Sequence, residues 1–182
     1  MGKIKIRILL IFFFVVLVIG VFIFLRARPE PAPPGATPSV GASYKSVVPG
    51  SSSRSDVLAT LGKPLNDEAS DLLNFKSSNP NLPHQVAVPV DTVVFIREII
   101  TAKDKKTTED ITSQYGNAPY TLYGPASVNG FNLYVYLDKG IAYIGHVKEP
   151  ILLEIWYFQP TTIEDFQVKW AKGYSTTQRP IQ

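Results

Sequence analysis

Cysteine is absent from this 182-residue sequence, and histidine occurs only twice. Without cysteine the chain cannot form a disulfide, ligate a metal through thiolates, use a cysteine nucleophile or carry a lipid on an N-terminal cysteine. His84 and His146 lie far apart in the sequence, so a zinc site would need carboxylate ligands that the spacing does not suggest. We therefore expect no metal and no other cofactor.

A basic excess is also missing from most of the chain, although the formal net charge is +3. From Tyr44 onward there are 13 lysines and arginines against 14 aspartates and glutamates, a net charge of −1. The surplus positive charge lies near the N-terminus, at Lys3, Lys5, Arg7, Arg26 and Arg28. A domain that binds nucleic acid needs basic side chains to neutralise phosphates, so we predict no nucleic-acid partner.

One long apolar run is present: residues 8–25, from Ile8 to Leu25, hold 18 residues without a charge. At about 1.5 Å per residue a helix of this length spans roughly 27 Å, close to the hydrocarbon thickness of a bilayer. The run predicts a transmembrane signal anchor over residues 1–28. A cleaved signal peptide is the alternative, but its apolar core is usually shorter and ends in small residues rather than in Leu-Arg-Ala-Arg-Pro.

The charges on either side of this run predict its orientation. Three basic side chains and the amino terminus precede the run, and two arginines follow it. Because basic residues tend to stay on the cytoplasmic side, we predict a single-pass protein of the cell membrane with a cytoplasmic N-terminus. Residues 29–43 contain five prolines and almost no charge, which indicates a semi-extended spacer. Residues 44–182 then form an extracytoplasmic domain.

Two similar helix signals divide this domain. The first has Ser53 as its N-cap and Gly62 as a left-handed C-cap, and a proline follows the glycine. The second starts 54 residues later, with Thr107 as its N-cap and Gly116 as its C-cap, again followed by a proline. The recurrence predicts two repeat halves, at about 44–104 and 105–175.

Segments rich in Val, Ile, Tyr, Phe and Trp follow each helix signal and predict antiparallel strands. They lie at residues 71–76, 85–88 and 92–101 in the first half and at 131–137, 141–147 and 151–158 in the second. Thr162 opens a last short helix that runs to about Lys172. The predicted fold class is α+β: an N-terminal transmembrane helix, then tandem helix-plus-antiparallel-strand repeats with a C-terminal helix.

The residues around the first helix resemble the signature of the SmpA/OmlA, or BamE-like, domain. The matching residues are Val48-Pro49-Gly50-Ser51, then Asp56-Val57, then Leu61-Gly62-Lys63-Pro64. In that family a glycine with small polar residues starts a helix bearing an acid–aliphatic pair, and the helix ends in Leu-Gly-x-Pro. The tandem pattern also resembles the β-lactamase-inhibitor-protein-like superfamily. The resemblance implies a small envelope protein that binds other proteins or supports outer-membrane assembly, and that is not an enzyme.

Aromatic residues on the later strands are the candidate binding residues. Strands that are apolar on both faces are either buried on both or keep one face for a partner. The candidate surface is formed by Tyr134, Tyr136, Tyr143 and Trp156. Strict alternation places Leu152 on the same side as Trp156. Glu154 on this apolar side needs a partner such as Arg97, because an unpaired buried charge is costly.

Catalytic patterns are not evident in the sequence. The serines near residue 53 lack a Gly-x-Ser-x-Gly elbow, and the acidic pairs at residues 109–110 and 164–165 lie in first helical turns, where carboxylates favour the helix dipole. We therefore expect a non-enzymatic, membrane-anchored extracytoplasmic module that binds another envelope protein. A module that binds cell-wall glycan through exposed tyrosine and tryptophan is the alternative, and the residues alone leave the two open.

Overall fold

The computed structural model describes residues 41–178. The predicted anchor at residues 8–25 and most of the predicted spacer lie outside these described residues. Within residues 41–178, no helix has the length and apolar character needed to cross a membrane.

Three α-helices form in the described chain: α1 at Arg54–Leu61, α2 at Thr108–Tyr115 and α3 at Ile163–Lys169. The backbone N–H of Ser53 donates to Asp56 at 2.8 Å, and that of Thr107 donates to Asp110 at 2.7 Å, so both predicted N-caps are confirmed.

Glycines end the first two helices, as predicted. Gly62 has φ 80° and ψ −156°, and Gly116 has φ 77° and ψ −164°. These angles differ from the predicted left-handed helical cap, because ψ near 180° lets the chain leave the helix in an extended direction. This region of positive φ is open essentially to glycine alone.

Within the described residues, seven antiparallel strands form one sheet. Their order across the sheet is β1-β2-β3-β7-β6-β5-β4. The strands are β1 Leu72–Phe75, β2 His84–Ala87, β3 Phe95–Ile99, β4 Tyr120–Leu122, β5 Phe131–Tyr136, β6 Ile141–His146 and β7 Leu152–Phe158. The α+β class is therefore confirmed, and six of the strands fall where the sequence predicted them. The short strand β4 was not predicted.

A helix followed by strands occurs twice along the chain. Helix α1 precedes β1 to β3, and α2 precedes β4 to β7. The last strand of each set lies at the centre of the sheet, where β3 pairs with β7, for example Arg97 with Trp156. The two sets therefore share one continuous sheet.

The two faces of the sheet are covered by different helices. On the first, which we call the α1/α2 face, Val57 of α1 and Ile111 of α2 belong to one buried cluster with Leu73, Val86, Ile96 and Ile155. On the second, the α3 face, Phe166 of α3 packs with Leu133, Val135, Trp156 and Phe158. Burial on both faces explains why β5, β6 and β7 are largely apolar on both sides.

A β-bulge interrupts the alternation of β7. Ile144 pairs with Glu154, but the next residue, Gly145, pairs with Leu152, so Leu153 is the extra residue. Leu152 therefore packs into the α1/α2 face and Leu153 against the α3 face. The prediction that Leu152 shares a side with Trp156 is wrong, because strict alternation cannot anticipate an inserted residue.

Candidate functional site

Three of the predicted binding residues meet on the α1/α2 face. The rings of Tyr134 and Tyr143 stack with centroids 4.9 Å apart, and Tyr136 lies 6.4 Å from Tyr143. However, Tyr136 and Tyr143 are only 2% and 4% exposed, and Tyr115 of α2 packs against Tyr136. The hydroxyl of Tyr136 donates to the carbonyl of Gly116 at 2.7 Å. The prediction of an exposed surface is wrong for Tyr136 and Tyr143, because α2 covers them; Tyr134 is half-buried.

Trp156, the fourth predicted residue, lies on the opposite face of the sheet. It is 7% exposed, and its ring meets Phe95 and Tyr174 edge-on at 5.6 and 6.0 Å. Trp156 therefore belongs to the core beneath α3 and does not join the tyrosines. The four residues do not form one binding surface.

The predicted partner of Glu154 is confirmed. The Nε of Arg97 donates to Glu154 Oε2 at 2.7 Å, and a second guanidinium nitrogen contacts Oε1. The indole of Trp156 donates to the same carboxylate at 2.8 Å. The hydrogen bonds that Arg97 donates to Glu154 raise the pKa of Arg97. The half-buried carboxylate is thus neutralised by a charge on the neighbouring strand.

An open cavity of about 730 Å³, the α2 cavity, lies beside α2 on the α1/α2 face. Ile141, Ile155 and Tyr157 of the sheet, which are almost completely buried, lie at its floor. Its other walls are residues 41–43, Lys105 and Lys106, the α2 residues Asp110, Ile111, Gln114 and Tyr115, and Asp138 and Lys139 of the β5–β6 turn. This volume falls in the range of ordinary ligand pockets.

The segment that enters the domain is held against this cavity. The N–H of Ala42 donates to the carbonyl of Lys139 at 2.8 Å, which fixes residues 41–43 beside the β5–β6 turn. Two residues later, Tyr44 is buried with its ring 5.9 Å from that of Tyr157. The entry of the chain into the domain therefore forms part of the cavity wall.

A buried carboxylate lies behind the cavity. Glu98 is 5% exposed, and it accepts hydrogen bonds from the Tyr157 hydroxyl at 2.7 Å and from Lys106 Nζ at 2.6 Å. Burial, with the negative charge of Glu98, raises the pKa of Tyr157, so this hydroxyl stays protonated. Because Tyr157 and Lys106 both line the cavity, Glu98 positions two of its wall residues.

Tyr44 and His84 complete this polar cluster. Burial, together with the charges of Glu98 and Asp104, raises the pKa of Tyr44 to about 12. The Nδ1 of His84 accepts the N–H of Ile99 at 3.0 Å, and burial lowers the pKa of His84. His84 is therefore held as a neutral imidazole that contributes a hydrogen-bond acceptor to the fold.

Most charged groups of the α2 cavity are paired within the fold. Lys106 pairs with Glu98, Lys139 with Asp138 at 2.9 Å, and Asp110 accepts the N–H of Thr107. The cavity thus offers charges of both signs around apolar side chains. Among residues 41–178, no group of three or more histidines and carboxylates is placed to hold a metal ion.

Sequence reasoning missed both the α2 cavity and Glu98. A signal for Glu98 was present, because it alternates with Ile96 and Ile100 on an apolar side, as Glu154 does on its own strand. Its partner Tyr157 is 59 residues away in the chain, and no local pattern connects the two.

No model of a known protein family matches this chain, and no curated protein matches it. Among solved structures, the chain is similar to a DUF4309 family protein, YjgB, from Bacillus subtilis subsp. subtilis str. 168. The sequence identity is 14%, the match covers 66% of this chain and 88% of that chain, and the TM-score is 0.45. A likeness at this level carries no argument about function, and the resemblance to the SmpA/OmlA domain stays a prediction.

Proposed function

We propose that this chain is a membrane-tethered, extracytoplasmic module that binds another envelope protein without catalysis. A polypeptide segment of that partner would lie in the α2 cavity. The observation that carries this proposal is the cavity itself, which joins an apolar floor of Ile141, Ile155 and Tyr157 to walls bearing charges of both signs.

The chemistry of the cavity matches that of a polypeptide better than that of a uniformly polar ligand. A peptide segment presents apolar side chains, backbone amides and single charges within a short length, and protein interfaces combine an apolar centre with a polar rim. The half-buried ring of Tyr115 provides apolar contact area, while the side chains of Gln114 and Lys105 are exposed and free to bond. Glu98 holds Tyr157 and Lys106 in place before a partner arrives, which reduces the entropy lost on binding.

The tether and the repeat are further parts of this proposal. The apolar run at residues 8–25 is long enough to span a bilayer, and a proline-rich spacer would hold the domain away from the lipid. The recurrence of a capped helix followed by strands supports a tandem repeat of the SmpA/OmlA or β-lactamase-inhibitor-protein type. The resemblance to those families supports a binding role in the envelope.

Photo-crosslinking in intact cells tests the cavity as the contact site. We would place a photo-reactive residue at Gln114, which lines the α2 cavity, in the full-length chain. The matched control carries the same residue at Ser113, an exposed neighbour on the same helix that does not line the cavity. We expect a discrete protein adduct from position 114 and none from position 113.

A second variant shows whether the adduct depends on the cavity. Exchanging Lys105, an exposed residue of the wall, for glutamate should lower the yield of the adduct several-fold by reversing a charge at the site. Equal adducts from positions 113 and 114, or none from either, would show that the α2 cavity does not receive a protein partner.

A further inference from the structure

A row of hydrogen-bonded polar side chains crosses the α3 face of the sheet, on the side away from the α2 cavity. Asn74 of β1 pairs in register with Gln85 of β2, and Gln85 pairs with Arg97 of β3. The Gln85 amide donates to Asn74 Oδ1 at 3.4 Å, and Arg97 donates to Gln85 Oε1 at 3.4 Å. Arg97 then bonds Glu154 of β7. We call Asn74, Gln85, Arg97 and Glu154 the polar row.

The β1 and β2 end of this row lies on an open part of the sheet. Within the described chain, the buried cluster beneath α3 draws its strand residues from β3 to β7 and includes none from β1 or β2. Asn74 and Gln85 are half-buried. Leu72, two residues before Asn74 on the same face of β1, is 42% exposed. The face over β1 and β2 is therefore accessible to a ligand.

Aromatic rings stand along one side of the polar row. Phe95, two residues before Arg97 on the same face, stacks on Trp170 with centroids 4.6 Å apart and planes 16° apart. Tyr174 meets Trp156 edge-on. Phe95, Trp170 and Tyr174 are each half-buried, so part of this aromatic wall faces solvent.

We propose that the polar row and its aromatic wall bind a neutral oligosaccharide. Two side-chain amides and a guanidinium offer donors and acceptors in one line, as an array of sugar hydroxyls requires. The two hydrogen bonds of Gln85 within the row are long at 3.4 Å, and the side-chain amide nitrogen of Asn74 has no hydrogen-bond partner among the described residues. Asn74 and Gln85 therefore keep capacity for a ligand, while the solvent-accessible parts of Phe95, Trp170 and Tyr174 provide apolar contact for sugar rings.

Charge favours a neutral ligand over a charged one. The positive charge of Arg97 is neutralised by Glu154, and Asn74 and Gln85 are uncharged, so the row carries no net charge. From β1 to β7 the row crosses three strand spacings, about 14 Å, which suits a short linear chain of sugars. This inference does not depend on the proposed protein partner, because the two sites lie on opposite faces.

Tryptophan fluorescence provides a direct test. The chain has only two tryptophans, Trp156 and Trp170, and both lie at this site, so the emission of the native protein reports on it alone. We would titrate the full-length chain, in a detergent without a sugar headgroup, with cellotetraose, the β-1,4-linked tetramer of N-acetylglucosamine, and maltotetraose. We expect at least one of them to change the emission saturably.

Matched amide variants assign the binding. Gln85→Ala and Asn74→Ala should each weaken binding roughly tenfold, since each removes hydrogen bonds to the ligand. Gln114→Ala removes a side-chain amide from the α2 cavity instead, and it should leave the affinity for the tetrasaccharide unchanged. Thermal unfolding of each variant shows whether the domain remains folded. If Gln85→Ala does not fold, Asn74→Ala assigns the binding, because Asn74 lies on the edge strand β1.

Three results would overturn the proposal. One is an emission spectrum that none of the tetrasaccharides changes at concentrations up to about 10 mM. Another is equal weakening by Gln114→Ala and Gln85→Ala. A third is a change of emission with protein concentration in the absence of sugar, which would show that a second copy of the chain covers this face. Loss of sugar binding would leave the crosslink from position 114 unaffected, so the two proposals fail separately.

Discussion

Neighbouring tyrosines on β5 differ in how strongly the fold depends on them. Tyr136 is buried against α2 and bonds the carbonyl that ends α2, whereas Tyr134 is half-buried. We expect Tyr136→Ala to lower the free energy of unfolding by about 3–5 kcal/mol, as other core aromatic truncations do, and Tyr134→Ala to lower it by clearly less. Denaturant unfolding of the full-length chain, followed by circular dichroism, measures both.

A conservative variant separates packing from hydrogen bonding at the same position. Tyr136→Phe keeps the ring but removes the donor to Gly116, so it should lower the free energy of unfolding by only about 1 kcal/mol. Equal stability of wild type and Tyr136→Ala would show that this ring is not part of the core.

His84 should make the stability of the domain depend on pH. Burial lowers the pKa of His84 in the folded state, so the folded protein binds this proton less readily than the unfolded chain. The stability that results is complete above the unfolded pKa of about 6.5 and is lost as the pH falls through the folded pKa. Urea unfolding between about pH 7.5 and 5.5 should show stability falling in wild type and falling less in His84→Gln. Parallel curves for the two proteins would contradict this expectation.

At the scale of elements, the glycines after α1 and α2 test whether the two helices end in the same way. A Cβ added at Gly62 or Gly116 meets no atom within 4 Å, so any loss of stability arises from the backbone conformation alone. We expect Gly62→Ala and Gly116→Ala each to lower the free energy of unfolding by about 1–3 kcal/mol, and the valine variants to lower it more. Thermal unfolding monitored by circular dichroism measures the loss of stability in each variant.

Lys63 provides the matched control for the glycine variants. It is exposed and directly follows Gly62, so Lys63→Ala should change the stability by no more than about 0.5 kcal/mol. If Gly62→Val melted at the wild-type temperature, the positive φ at this position would be unnecessary for the helix to end.

The elements that sequence predicted well have local causes. Caps at Ser53 and Thr107 and the terminating glycines are set by residues three to nine positions apart, and alternation of apolar residues located six strands. Strand β4 has only three residues, too few for a periodic pattern to appear. The bulge at Leu153 leaves no signal in the sequence, because Ile151, Leu152 and Leu153 are all apolar and suit either face.

The whole molecule is expected to lie across a membrane with its domain outside the cytoplasm. The charge bias around residues 8–25 predicts that everything after Arg28 lies on the far side. A protease added to intact cells stripped of their wall should remove the domain and leave a short membrane-bound product. A domain that resists the protease until the cells are lysed would place it in the cytoplasm.

Sequence alone determined the α+β class, the capped helices and the Arg97–Glu154 pair. These depend on short spacings, or on the rule that a charge among apolar residues requires a partner. Only the tertiary structure decided that Tyr136, Tyr143 and Trp156 are core, because an alternating pattern shows that both faces are apolar but not what covers them. The Glu98 cluster and the Arg97–Glu154 end of the polar row likewise arise where β3 meets β7, which brings together residues more than fifty positions apart. The α2 cavity arises where α2 and the entering chain lie beside β6 and β7.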